Sequence, residues 1–217
     1  EEDEALDSAI FELLEKDLQA SSIDWITVYT GAASGEDPAY EEAVKEFAQA
    51  VVRKDIGVVF GAGAVGLMGA LADTVVSCGG RIIGISPRIL VKNEVPHDGL
   101  TRLEVVTDMS ERKLRMGALG KAFVALPGGA GTLEEFFEVW TWQQLGIHQK
   151  PVALLNTKGY WDHLLSLIDH MIANGFLSSA YREHLIVDDD PEALLAKLMS
   201  WTPPPARWDD SIDITDD

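Results

Sequence analysis

The 217-residue sequence predicts an α/β fold, in which a doubly wound parallel sheet lies between two helical layers as an αβα sandwich. Short, continuously apolar runs alternate with longer stretches of helical periodicity from residue 23 to residue 202, without an internal repeat. Glycine-rich or small-residue turns follow three of these runs, at residues 31–35, 61–66 and 127–131. Because the carboxyl ends of parallel strands share one edge of the sheet, these turns are expected to meet around a ligand-binding crevice.

The individual elements follow from the same patterns. Apolar runs predict strands at residues 25–29, 56–60, 81–86, 103–107, 123–126, 152–155 and 185–187. Helical spacing predicts helices at about residues 38–51, 66–78, 132–145, 161–172 and 191–200. A capping box at residues 108–111 opens a further helix, and the stretch around residues 93–99 is predicted to be an irregular loop.

The chain is expected to form one domain with two acidic extensions. Residues 23–202 make up the Rossmann-like nucleotide-binding domain, which is large enough to bury a core. Residues 1–22 carry eight acids and one lysine on an amphipathic pattern, which predicts an acidic helix. Residues 203–217 open with three prolines and hold five acids, which predicts a flexible acidic tail.

Composition excludes several classes of partner and site. The 17 basic and 36 acidic residues give a formal net charge of −19, which argues against nucleic acid or an anionic membrane. No apolar run is long enough to cross a bilayer, and the start of the sequence lacks the layout of a signal peptide. Cys78 is the single cysteine, so neither a disulfide framework nor a cysteine metal site is expected. We therefore expect a cytoplasmic location.

The stretch 123–135 combines a buried strand, a glycine-rich turn and the start of a helix. Pro127 ends the strand because it has no N–H to donate, and the glycines within 128–131 allow close approach to the main chain. Thr132 lies in the first helical turn, where free amides and the helix dipole favour a phosphate. Glu135 shares its helix face. The geometry predicts a phosphate site with a carboxylate one turn deeper, with a plain strand-to-helix connection as the alternative.

Other motifs leave one alternative open and exclude several. Gly61-x-Gly63-x-x-Gly66 has the form of a dinucleotide fingerprint, but the next strand ends without an acid for the ribose. Arg88, at that strand's end, could meet a 2′-phosphate, so an NADP-dependent oxidoreductase remains an alternative. No Walker pattern, Gly-x-Ser-x-Gly elbow or histidine spacing typical of metal ligands occurs. Arg112 opens a helix that starts at the same sheet edge, where it could reach a phosphate or ribose near Glu135.

Pro127-Gly128-Gly129-x-Gly131-Thr132-x-x-Glu135 resembles the signature of the Lonely Guy family of cytokinin riboside 5′-monophosphate phosphoribohydrolases. The resemblance extends to residues 66–70, 111–113, 137–148 and 150–151, and covers roughly residues 23–201. Proteins of this kind have often been labelled lysine decarboxylases. No residue here independently supports the pyridoxal phosphate that such a decarboxylase would use.

The resemblance implies hydrolysis of the N-glycosidic bond of an adenine-type nucleoside 5′-monophosphate, without a metal or another cofactor, by a homodimer. By position it implies a catalytic pair, Arg112 and Glu135. It implies a phosphate cradle at Gly128, Gly129, Gly131 and Thr132. Contacts to the base and ribose are assigned to Ala33, Gly63, Arg88, Lys113 and Met116.

The sequence departs from the family pattern in the first two glycine turns. Thr30-Gly31-Ala32-Ala33 replaces a turn that usually carries more hydroxyls, and Ala62 replaces the middle of three glycines. Ser86 stands where the family often has isoleucine. These departures leave open a non-catalytic protein that binds a nucleotide or a phosphorylated cofactor.

Overall fold

The computed structural model describes residues 23–91 and 96–204. The predicted acidic helix at residues 1–22 and the tail from residue 205 onward lie outside these ranges. The division into one domain and two extensions therefore stays a prediction. In the described ranges, no helix is long and apolar enough to span a bilayer.

The elements of the described residues follow the predicted alternation. The strands are β1 (Trp25–Tyr29), β2 (Gly57–Phe60), β3 (Ile82–Pro87), β4 (Arg102–Val106), β5 (Ala122–Ala125), β6 (Val152–Leu155) and β7 (Ile186–Asp188). The helices are α1 (Pro38–Arg53), α2 (Gly66–Ser77), α3 (Arg88–Val91), α4 (Met109–Leu119), α5 (Ala130–Gln144), α6 (Asp162–Ala173), α7 (Ser179–His184) and α8 (Pro191–Met199). A 3₁₀ turn at Thr157–Gly159 precedes α6.

The strands form one parallel sheet in the order β4-β3-β2-β1-β5-β6-β7. The chain first builds outward from β1 to β4, then returns to place β5 on the other side of β1. The point where the order reverses lies between β1 and β5, where doubly wound sheets open a crevice at the carboxyl ends of the strands. The predicted fold class is confirmed.

Most strands of the sheet are buried on both faces, which explains their apolar sequences. The edge strand β4 differs, because it is largely exposed and carries Arg102 and Glu104. One cluster joins the sheet to α1, α2 and α8, and the other joins it to α4, α5, α6 and α7. In β5, Val124 packs into the first cluster, while Phe123 and Ala125 pack into the second. Alternate side chains of one strand thus hold both helical layers.

The structure differs from the sequence prediction mainly in short elements. Residues 88–91 form the four-residue helix α3, and α7 begins after Ser178, whose hydroxyl accepts the Ala180 amide; neither helix was predicted. The predicted cap of α4 is present, with Asp108 accepting from the amides of Ser110 and Glu111. The Glu111 carboxylate, however, reaches back to the amide of Thr107 at 2.6 Å, one residue earlier than a capping box requires.

Candidate active site

A cleft of about 490 Å³ opens at the carboxyl edge of the sheet, at the reversal between β1 and β5. Its walls come from the loop after β1, the loop after β5, the first turns of α4 and α5, and the turn before α6. The predicted catalytic pair and all four predicted phosphate-binding residues line it. The structure therefore brings together groups that the sequence separates by more than twenty positions.

The helix α5 begins at the cleft without a side-chain cap. Its N-cap residue Gly129 has no side chain, and the first backbone bond of the helix is the one from the Leu133 amide to the Gly129 carbonyl, at 3.1 Å. In the part of the chain that the structure describes, the amides of residues 130–132 have no hydrogen-bond partner. Such uncapped amides at the positive end of a helix dipole favour an anion.

Protein donors hold the carbonyl groups of the preceding loop. The Pro127 carbonyl accepts from the Thr30 hydroxyl at 3.0 Å and from the Gly31 amide at 3.1 Å. The Gly128 carbonyl accepts from the Tyr160 hydroxyl at 2.5 Å. The hydroxyl that remains in the altered first turn, that of Thr30, is thus used to join the two loops.

The three glycines of this loop differ in why a side chain is absent at their positions. A Cβ on Gly128 would overlap the Thr132 hydroxyl and lie 2.9 Å from the Gly31 amide, so glycine is required there by packing. Among the described residues, a Cβ on Gly129 or Gly131 would meet nothing within 4 Å. Protein packing does not require glycine at these two positions, and both line the cleft. Their bare backbone leaves room for a ligand against the amides.

Glu135 is half-buried in the cleft wall one turn into α5. Burial raises the pKa of its carboxyl to about 7, an effect opposed by the nearby charge of Arg112. Glu134 and Glu138 raise this pKa further, and Lys113 lowers it. A carboxyl with such a pKa exchanges protons near neutral pH, as a general base or acid requires.

Arg112 lies in the first turn of α4 and is buried, with 8% of its surface exposed. Its Nη2 donates to the Gly61 carbonyl at 3.1 Å, and its Nη1 lies 3.7 Å from the Met109 sulfur. Within residues 23–91 and 96–204, its Nε has no hydrogen-bond partner. A buried cation with a free donor at a cleft is available to an anionic ligand.

The second glycine turn is filled by the protein itself. The amides of Leu67 and Met68, in the first turn of α2, donate to the carbonyls of Ala33 and Gly31 at 3.4 and 3.1 Å. Gly66, with φ of +63°, packs so closely on Ala32 that a Cβ would overlap its carbonyl. Because these amides are occupied, this turn does not offer the pyrophosphate site that a dinucleotide needs. The NADP alternative therefore has no support in the structure.

Of the five residues assigned to the base and ribose, Ala33 lines the cleft and the other four do not. Gly63 pairs with Pro96 in an isolated bridge, and Arg88 is exposed at the start of α3. Lys113 forms ion pairs with Glu134 and Glu138, at 2.6 and 3.0 Å.

Met116 is in the core, with 1% of its surface exposed, one turn below Arg112 on the same helix face. The apolar lining near Arg112 comes instead from Met68 and Met109, neither of which was predicted to contact a ligand. Gly61 and Tyr160 were not predicted to belong to the site either. Gly61 could have been predicted, because it opens the glycine turn at residues 61–66, whereas nothing in the sequence around Tyr160 indicates a role in the site.

Histidine and metal chemistry receive no support from the described residues. They contain no group of three or more histidine, cysteine, aspartate or glutamate side chains that could hold a metal. His148 is buried, which lowers its pKa to about 4. Its Nε2 bonds the Val139 carbonyl and its Nδ1 accepts from the Lys150 amide, so both nitrogens serve the packing of α5.

Several known proteins are similar to this chain over most of its length. A family model described as "Possible lysine decarboxylase" matches residues 68–198. A protein of Rhodococcoides fascians named cytokinin riboside 5′-monophosphate phosphoribohydrolase is 44% identical over 176 residues, covering 81% of this chain and 89% of that protein. The Arabidopsis thaliana protein of the same name designated LOG3 is 39% identical over 192 residues, covering 88% and 89%.

Solved structures share the fold at low sequence identity. A molybdenum cofactor binding protein of Rippkaea orientalis superposes with a TM-score of 0.62 at 18% identity, covering 83% of this chain and 98% of that one. A molybdenum cofactor carrier protein of Chlamydomonas reinhardtii gives 0.59 at 16% identity, covering 82% and 99%. At such identities the likeness supports the α/β architecture alone.

Proposed function

The chain belongs to the Lonely Guy family of cytokinin riboside 5′-monophosphate phosphoribohydrolases, and from this premise we propose that it hydrolyses the N-glycosidic bond of adenine nucleoside 5′-monophosphates. The products are the free base, adenine or an N6-prenylated cytokinin, and ribose 5-phosphate. The observation that carries the proposal is the common cleft, where uncapped amides, Glu135 and Arg112 face the same space.

Each end of the nucleotide has a counterpart in this cleft. The 5′-phosphate docks on the amides of residues 130–132, beside the Thr132 hydroxyl and the bare backbone of Gly129 and Gly131. The ribose then lies one helical turn deeper, beside Glu135. Arg112 orients the nucleotide and balances the charge of its anionic groups and of Glu135.

The reaction needs a negative charge close to the sugar. As the bond from C1′ to the base nitrogen breaks, the base leaves with the electron pair and positive charge develops on the ribose. The Glu135 carboxylate stabilises that charge and takes a proton from the water whose oxygen bonds to C1′. The departing base takes up a proton. With a pKa near 7, Glu135 is partly ionised at neutral pH and can serve as the base.

The wall beside Arg112 supports an apolar substituent on the base. Met68 and Met109 line this part of the cleft, and 41% of the Met109 surface is exposed. Methionine adapts its shape to flat rings and to branched alkyl groups. We therefore include both adenine and N6-prenyladenine nucleotides in the substrate class.

We also infer a cytoplasmic homodimer. Val65 and Ile89 are 67% and 64% exposed, and both follow strands at the carboxyl edge, on the side of the cleft that carries Met109. Apolar side chains exposed at one edge favour burial against a second copy. Light scattering coupled to size-exclusion chromatography tests the dimer, and fractionation of the source cells tests the location.

Incubation with AMP and N6-prenyl-AMP, followed by chromatography for released base, tests the activity. Release that is lost in both Arg112→Ala and Glu135→Ala, with unchanged circular dichroism, supports the proposal. Absence of release from every adenine nucleotide at high protein concentration contradicts it. Tight AMP binding without turnover, unchanged in Glu135→Gln, would instead indicate a binding protein.

A further inference from the structure

Tyr160 connects the cleft to a segment far away in sequence. It lies in the turn between β6 and α6, lines the cleft mouth, and donates its hydroxyl to the Gly128 carbonyl at 2.5 Å. Its ring packs edge-on against Tyr40 of α1 at 5.3 Å and against Trp161 at 4.8 Å. The side chain is therefore supported on two sides while its hydroxyl holds the glycine loop.

The turn that presents Tyr160 is itself firmly held. Asn156 accepts the Trp161 amide at 2.7 Å and donates to Asp162 at 2.8 Å, which closes the turn at both ends. Lys158, with φ of +53°, forms an ion pair at 2.5 Å with Asp37, the N-cap residue of α1. A turn fixed in this way can place one hydroxyl reproducibly.

The Gly128 carbonyl matters because it belongs to the same peptide unit as the Gly129 amide. The unit is trans, so its C=O and N–H point in opposite directions, and fixing one orients the other. Glycines on both sides of this unit allow it to rotate more easily than other residues would. A carbonyl turned toward the cleft would repel a phosphate, whereas an amide would bind it.

We propose that Tyr160 is a positioning residue for the substrate's 5′-phosphate: its hydroxyl holds the Gly128–Gly129 peptide in the orientation that turns the Gly129 amide, beside the amides of residues 130–132, toward the phosphate. This inference rests on the proposed function, since it concerns the same cleft. Tyr160 acts through the backbone of the loop. Its removal should therefore weaken binding of phosphorylated ligands and leave the chemical step largely unchanged.

The test is Tyr160→Phe, which keeps the ring and its aromatic contacts and removes the hydroxyl. We expect KM for AMP and Ki for ribose 5-phosphate to rise about 3- to 10-fold, the range for loss of one neutral hydrogen bond. We expect kcat to change less than about twofold, and Ki for adenine, which has no phosphate, to stay the same.

Tyr181→Phe is the matched control, because the Tyr181 hydroxyl donates to the Gln144 carbonyl at 3.3 Å, at the other end of α5 and outside the cleft lining. It should change none of these constants. Unchanged Ki for ribose 5-phosphate in Tyr160→Phe, or an equal rise for adenine, would overturn the positioning role. Calorimetric titration of ribose 5-phosphate needs no turnover, so it tests Tyr160 even if the wild-type protein releases no base.

Discussion

The guanidinium of Arg112 crosses the end of β2 directly over Gly61, whose carbonyl accepts from Nη2 at 3.1 Å. A Cβ at residue 61 would overlap Nη2. The absence of a side chain at residue 61 therefore decides where the charge of Arg112 stands, although the two residues are 51 positions apart.

Gly61→Ala should displace the guanidinium and leave the fold intact, because the overlapping atom is the far end of a flexible side chain. We expect kcat/KM for AMP to fall about 100-fold, the scale that misplacement of a catalytic group by about 1 Å produces. Steady-state kinetics and thermal unfolding measure the two effects. In the control Gly117→Ala, the one described side chain within 4 Å of the new Cβ is that of Trp142, at 3.4 Å, and activity should persist. Full activity in Gly61→Ala would contradict the role of this contact.

The glycines of the phosphate loop should respond differently to alanine. Gly131→Ala places a methyl group in open space near the start of α5, so the free energy of unfolding should stay the same or rise by up to about 1 kcal/mol. KM for AMP should rise at least about tenfold, because we propose that the substrate phosphate occupies that space. Chemical denaturation and kinetics on the same sample separate the effects. An unchanged KM would argue against phosphate binding here.

Gly128→Ala provides the contrasting result. The new Cβ would overlap the Thr132 hydroxyl and press on the Gly31 backbone, so the protein itself should lose about 1–3 kcal/mol of stability. If Gly128→Ala and Gly131→Ala gave the same loss of stability, the distinction between packing glycines and ligand glycines would be wrong.

Local geometry could be predicted from the sequence, because it depends on residues that are close together along the chain. The β1 and β6 bounds match the apolar runs because both runs end at clear turn signals. Thr132 and Glu135 share the cleft because their spacing on one helix fixes their relative position. The missed helices α3 and α7 have four and six residues, too few for a periodic pattern.

Contacts between distant segments could not be predicted in the same way. Arg112 and Met116 share a helix face, yet Arg112, in the first turn of α4, lines the cleft, whereas Met116, one turn further along, packs in the core. Lys113 is the next residue along α4 and lies on a different face of that helix, where it pairs with Glu134 and Glu138 of α5. Tyr160 reaches Gly128 only because β6 neighbours β5, which is a property of the topology.

The charges around Glu135 make a prediction about the pH dependence of activity. If Glu135 must be ionised, kcat/KM should fall as the pH drops below about 7. Glu138→Gln removes a charge that raises the pKa of Glu135, so the fall in kcat/KM should move to lower pH. Lys113→Met removes a charge that lowers this pKa, so the fall should move to higher pH. The substrate phosphate, which titrates near pH 6, is the same in all variants and cannot produce opposite shifts. If the pH dependence of kcat/KM were the same in both variants as in the wild type, Glu135 would be excluded as the titrating group.

The same carboxyl should lower the stability of the folded protein at neutral and alkaline pH. Its pKa is about 7 in the folded state against 4.5 for an exposed glutamate, so the folded state disfavours the ionised form. This penalty is absent well below pH 4.5, grows as the pH rises toward 7, and is constant above it. Glu135→Gln, which keeps the shape and removes the charge, should therefore raise the free energy of unfolding at pH 8 by about 3 kcal/mol and by clearly less at pH 5. Urea denaturation at both pH values measures the difference, with Glu46→Gln on the exposed face of α1 as the control for loss of one negative charge. An equal gain at both pH values would show that the stabilisation does not come from the ionisation of Glu135.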